Sequence, residues 1–166
     1  MDANRFTEKV QEALSGAQAK AVRLSHQQVD VEHVLAALLE QERGLAASIL
    51  QRAGVNLASL KRRLDQELER LPKVAGPTGA PEQIYVTGRF NRLLVQAEDE
   101  AKKLKDEYIS VEHLLLAMVE DGGATGRALK ELGVTRLSLG VEHFNDDILA
   151  LGASYWARLV ERALAR

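Results

Sequence analysis

Residues 7–40 reappear 80 positions later as residues 87–120, and this duplication constrains the chain more than any other feature. Setting one stretch on the other gives 11 identities in 34 positions, where ordinary residue usage supplies about two or three. The matches include Thr7/Thr87, Leu14/Leu94, Ala17/Ala97, Ala21/Ala101, Val31/Val111, Glu32/Glu112 and His33/His113. After one deletion the offset becomes 79, and Leu50, Gly54 and Val55 fall on Leu129, Gly133 and Val134. A unit this small cannot build a solid core alone, so two copies should pack together about a pseudo-twofold axis.

Each copy reads as helix. Phe6, Val10, Ala13, Leu14, Ala17, Ala21 and Leu24 step by threes and fours, the apolar stripe of an amphipathic helix. Asp30 is a good N-cap for a second helix, with Glu32 in its first turn facing the positive helix end. Gly44 and Gly54 bracket a third. Leu57, Leu60, Leu64 and Leu68 carry a fourth, which Pro72 ends. Phe90, Leu93, Leu94, Ala97, Ala101 and Leu104 restart the pattern, and Ser110 takes the cap position of Asp30. Residues 72–85 hold all three prolines and read as a linker or long ordered loop. The expected fold is all-α: two pseudo-twofold-related four-helix repeats forming one compact bundle. Its parts are a first repeat over 1–71, a linker over 72–86, a second repeat over 87–140 and an atypical helical tail over 141–166. Tyr155, Trp156, Leu159, Val160 and Leu164 give that tail an amphipathic stretch.

Composition narrows the function. The chain has no cysteine, which excludes disulfides and thiol chemistry and leaves the cytoplasm as the default location. A net charge of −2 lacks the basic face of a nucleic-acid binder, and 4% aromatic residues cannot furnish a stacking platform. Lys102, Lys103 and Lys105 read as the wet face of one helix. No apolar window is long enough to span a membrane.

Catalytic motifs are missing too. There is no phosphate loop, and GGATG at 122–126 lacks the lysine and preceding strand that one needs. Nothing matches a nucleophile elbow or HExxH, so neither an enzyme nor a metal site is expected. His33 and His113 each read as a first-turn residue bonding the preceding loop. His26 and His143 read as ordinary loop or surface residues. Asp106, Glu107 and Glu112 read first as a solvated turn with its helix-dipole partner, and second as a binding surface for a basic or polar ligand.

At the twinned Val-Glu-His motif the chain resembles the N-terminal double-repeat (Clp N) domain of Clp-type AAA+ chaperones. RFTEKVQEAL at 5–14, VDVEHVLAALLEQE at 29–42, LERLPKV at 68–74 and YISVEHLLLAMVED at 108–121 carry the resemblance, which covers about residues 5–135. The LPKV segment makes it most like the ClpB disaggregases. The resemblance implies a non-catalytic module that engages exposed segments of unfolded or aggregated polypeptides and works with a Clp AAA+ ring. It implies no cofactor in this chain, since ATP belongs to an AAA+ module that these residues do not contain. Its substrate-contacting positions fall on Thr7, Asp106 and Glu112, with Leu94 a candidate wall of an apolar groove between the repeats. Helical spacing alone would make Leu94 core. Thr7 and Asp106 read as exposed polar positions whose replacement should cost less than about 0.5 kcal/mol. An alternative reading is a stand-alone adaptor or assembly protein that docks on a Clp complex through its tail.

Overall fold

The computed structural model describes residues 2–74 and 83–139. The middle of the linker, the end of the second repeat, His143 and the amphipathic tail all lie outside the described residues. Within them the regular structure is helical apart from two two-residue strands.

Helix α1 (Glu8–Arg23) and helix α5 (Gly88–Lys103) begin 80 residues apart and are both 16 residues long. A threonine caps each: Val10 N donates to Thr7 Oγ1 at 3.4 Å, and Phe90 N to Thr87 Oγ1 at 3.0 Å. Their inward faces are built largely of small residues, Ala13, Ala17 and Ala21 in one and Ala97 and Ala101 in the other. That lets the next helix approach closely. A Cβ added at Gly16 would lie only 3.3 Å from the Ala37 methyl.

The next helices, α2 (Val31–Glu40) and α6 (Val111–Val119), are apolar nearly all round and form the centre of the core. Every residue from Val31 to Leu39 is buried. Helices α3 (Leu45–Arg52) and α7 (Ala124–Glu131) follow, each ending on a glycine with φ +89°, Gly54 and Gly133. Val55 N donates to Leu50 O, and Val134 N to Leu129 O, so the two helices stop in the same way. Helix α4 (Leu57–Arg70) buries Leu60, Leu64 and Leu68, and α8 (Arg136–Leu139) occupies the corresponding place in the second repeat.

Contacts between the repeats come in reciprocal pairs, as a pseudo-twofold requires. α3 packs on α6 as α7 packs on α2, and α3 meets α8 as α7 meets α4. The backbone repeats this exchange. Strand β1 (Gln28–Val29) pairs in parallel with β2 (Tyr85–Val86), and Thr87 N donates to Val29 O at 3.1 Å. Eighty residues away, Phe6 pairs with Ile109, and Thr7 N donates to Ile109 O at 3.0 Å. Each repeat thus lends the segment before its first helix to the interhelix loop of the other. The ends of the proline-bearing segment are held as well. His26 pairs with Lys73, and Val74 N donates to Ser25 O at 2.8 Å.

Candidate functional site

The two backbone crossings create two junctions, alike in backbone and different in charge. At the first, Arg89 leaves the start of α5 and meets three carboxylates. Its Nη1 lies 3.0 Å from Asp30 Oδ2, and its Nη2 lies 2.9 Å from Glu32 Oε1 and 2.7 Å from Asp121 Oδ2. Thr87 Oγ1 donates to the other Asp30 oxygen at 2.7 Å. Burial works against the Arg89 charge, but the bonds to Asp121 and Glu32 outweigh it and hold its pKa above the usual arginine range. This junction is filled from within the chain.

The register of the duplication carries Thr87 to Thr7, Asp30 to Ser110, Glu32 to Glu112, Arg89 to Lys9 and Asp121 to Gln41. At this second junction the cation does not cross. Lys9 pairs with Glu12 on its own helix at 3.0 Å. Glu112 bonds the Ser110 hydroxyl and has no cationic partner among the described residues. The Gln41 amide donates to Lys9 O at 2.8 Å, which leaves its Oε1 buried and without a donor. One junction is closed by a guanidinium, and at the other no cation pairs with Glu112 among the described residues.

Thr7 and Glu112 both belong to this open junction. Thr7 is half-buried, its N–H tied to Ile109 and its hydroxyl spent on the α1 cap. Glu112 is half-buried three residues after Ile109, and exposed Asp106 lies three residues before it. Leu94 is half-buried and packs against the core. It sits one turn before Glu98, whose carboxylate pairs with Arg5, so its side of α5 faces the segment that leads into Thr7.

Asp106 and Thr7 are more engaged than their polarity suggests. The Ser110 N–H donates to His113 Nδ1 at 2.8 Å, so the His113 proton resides on Nε2 and is donated to Asp106 Oδ2 at 2.8 Å. His113 therefore bonds the loop before its helix, and so does His33, which accepts the Asp30 N–H at 3.0 Å. His26 departs from the sequence reading. It is buried, and its Nδ1 lies 2.8 Å from His33 Nε2. Residues 71–74 fold back over the loop and cover it, a tertiary effect that the polar run SHQQ does not signal. Burial and the nearby Lys73 charge push its pKa down. Burial and the His26 ring push His33 to about 4. No group of three or more metal-ligating side chains occurs among the described residues, and none of their helices is long and apolar enough to cross a membrane.

Arg89 and its carboxylates escaped the sequence reading because they lie 57, 59 and 32 residues apart along the chain. The only sequence signal was a cation at position two of both α1 and α5 beside twinned acidic helix starts.

Two helical repeats clasped about a pseudo-twofold define an all-α double-repeat domain. The family model for the Clp repeat (R) N-terminal domain matches residues 5–132, and the chain belongs to that family. It is 46% identical over 138 residues to the chaperone protein ClpB of Nitratidesulfovibrio vulgaris and 41% identical over 139 to that of Bacillus anthracis. These alignments cover 82% and 84% of this chain but 16% of either relative, so the chain spans about one sixth of their length. Among solved structures, the Hsp104 N-terminal domain from Candida albicans matches with a TM-score of 0.70 at 23% identity, covering 82% of this chain and 87% of that one. The N-terminal domain of the ClpV1 ATPase from E. coli also scores 0.70, at 24% identity and with 83% of both chains covered. These last two share the fold.

Proposed function

We propose that this domain is a non-catalytic binding module for exposed segments of unfolded or aggregated polypeptides, and that it engages them at the open junction of Thr7, Asp106 and Glu112. The likeness to ClpB chaperones supports that substrate class. The contrast between the junctions supports the site. Arg89 displays, inside the same fold, how a guanidinium seats between a threonine-capped helix start and the carboxylates of the facing helix. The other junction keeps the threonine and one of the carboxylates but leaves its own Lys9 turned away. An arginine or lysine of a client chain fits the vacancy, with Leu94 as an apolar wall for its neighbours. Such a site is weak and permissive, because two carboxylates and a capping threonine read charge and little else.

The test is a double-mutant cycle by fluorescence anisotropy at low salt. One peptide carries a single arginine among apolar residues, and the other has glutamine in its place. Glu112→Gln should weaken the arginine peptide about fivefold and leave the glutamine peptide unchanged, as expected for a partly exposed charge pair. Equal losses for both peptides, or none, would reject the site.

A further inference from the structure

The open junction and the C-terminal stretch of the same chain match in chemistry. The cations nearest the junction in sequence are already spent, Arg5 on Glu98 at 2.5 Å and Lys9 on Glu12 at 3.0 Å. Glu112 meets no cation among the described residues. In sequence, residues 155–160 are Tyr-Trp-Ala-Arg-Leu-Val. Arg158 is thus a lone guanidinium with apolar neighbours on both sides and no acid among them. Arg162 differs, because Glu161 stands beside it.

The course of the chain brings Arg158 within reach. The described part ends at Leu139, buried on α8, and α8 packs against α3 and α6. Arg136 of α8 holds Glu100 of α5 at 2.7 Å. The chain therefore continues from beside α5 and α6, the helices that carry Leu94 and Glu112. Arg158 follows Leu139 by 19 residues, a reach of up to about 60 Å on a domain about 35 Å across.

We propose that the chain's own Arg158 occupies the open junction, pairing with Glu112 as Arg89 pairs with Glu32, while the apolar residues beside it cover Leu94. The tail is then an internal competitor that a client segment must displace. This inference rests on the reading of Thr7, Asp106 and Glu112 as a guanidinium site. Charge selects the occupant: the junction offers the carboxylates of Asp106 and Glu112, and residues 155–166 carry three Arg against one Glu. Tethering offsets the weakness of the site. A segment held this close has a local concentration of about 1 mM, so a seat with a Kd of about 0.5 mM is about two-thirds filled. Freeing it should raise a client's affinity about threefold.

Trp156 is the only tryptophan of the chain, so its emission reports on the tail. In the full chain at low salt, Arg158→Gln and Glu112→Gln should each shift that emission to the red, and so should saturation with the tryptophan-free single-arginine peptide. By anisotropy, Arg158→Gln should tighten that peptide about threefold, whereas Arg162→Gln, which removes an equal charge, should leave it unchanged. Arg158 and Glu112 should also couple: Glu112→Gln weakens the peptide about fivefold in the parent and about tenfold once Arg158→Gln has removed the competitor. Equal Glu112→Gln losses in both backgrounds would overturn the proposal and leave the site reading intact. Equal effects of Arg158→Gln and Arg162→Gln would overturn it as diffuse charge attraction. A Trp156 shift that vanishes on dilution would overturn it by placing the tail on a second copy. Peptide binding indifferent to Glu112→Gln in both backgrounds would instead reject the site reading, and this inference with it.

Discussion

Arg89 Nη2 donates to Glu32 Oε1 at 2.9 Å, joining the second residue of α5 to the second residue of α2 across the pseudo-twofold junction. The Glu32 side chain is 4% exposed, and Asp30 and Asp121, which share the same guanidinium, are 12% and 11% exposed. Removing the cation strands three poorly hydrated carboxylates. Arg89→Ala is expected to cost about 3 kcal/mol in urea unfolding. Arg89→Lys should recover only part of that, because an ammonium cannot hold forked bonds to several carboxylates at once. A loss below about 0.5 kcal/mol for Arg89→Ala would show that water reaches all three acids.

The helices were legible because their signals are local. Val10, Ala13, Ala17 and Ala21 declare a buried stripe through spacing alone, and Gly54 and Gly133 mark two helix ends through the φ +89° that only glycine adopts freely. The crossings were not legible. Val29 with Val86 and Phe6 with Ile109 are pairings of one or two residues, too short for any period-two pattern, and they exist only because the repeats dock. The open junction was half legible. Thr7 and Glu112 were found through resemblance, whereas Gln41, whose buried Oε1 lies without a donor, looks in sequence like any polar residue after a helix.

The His26–His33 pair gives stability a specific pH dependence. His33 is held near 4 by burial and by the His26 ring, against about 6.5 in an unfolded chain. Between these values the unfolded state binds the additional proton, so stability is complete above pH 6.5 and falls as pH drops toward 4. The loss should be about 3 kcal/mol over that window in urea titrations at successive pH values. His33→Gln keeps an acceptor for the Asp30 N–H and removes the titrating group. It should reduce the slope above pH 4.5, leaving the share that His26 contributes, and an unchanged slope would assign the proton uptake elsewhere.

Gly126 sits in the first turn of α7, where a Cβ would lie 1.8 Å from the Asp121 carbonyl oxygen. The obstructing atom is backbone and cannot swing aside. Gly126→Ala must therefore displace the turn that carries Asp121, one of the three Arg89 acids. The expected cost is about 2 kcal/mol, against the small gain that glycine-to-alanine changes bring in unstrained helices. In a background of Arg89→Ala the penalty should shrink, because the Asp121 ion pair is already gone. Full additivity would sever the proposed link between α7 and the junction.

Asp106 and Thr7 stand in the proposed binding site and also hold local structure, so their substitutions must be chosen by geometry. Among the described residues Asp106 is the only partner of the His113 Nε2–H, and the His113 side chain is 2% exposed. Asp106→Ala leaves that donor buried and unpaired, at a cost of about 1 kcal/mol, the lower end for a lost acceptor because water can enter beside an exposed position. Asp106→Asn keeps an acceptor oxygen and should melt near the parent temperature. The same reasoning separates Thr7→Ala, which removes the α1 cap for about 1 kcal/mol, from Thr7→Ser, which keeps it. Peptide affinity measured in the Asn and Ser variants then reads the site alone. If Asp106→Ala and Asp106→Asn melt together, the His113 bond contributes nothing to the fold, and the alanine variant becomes a clean probe of binding.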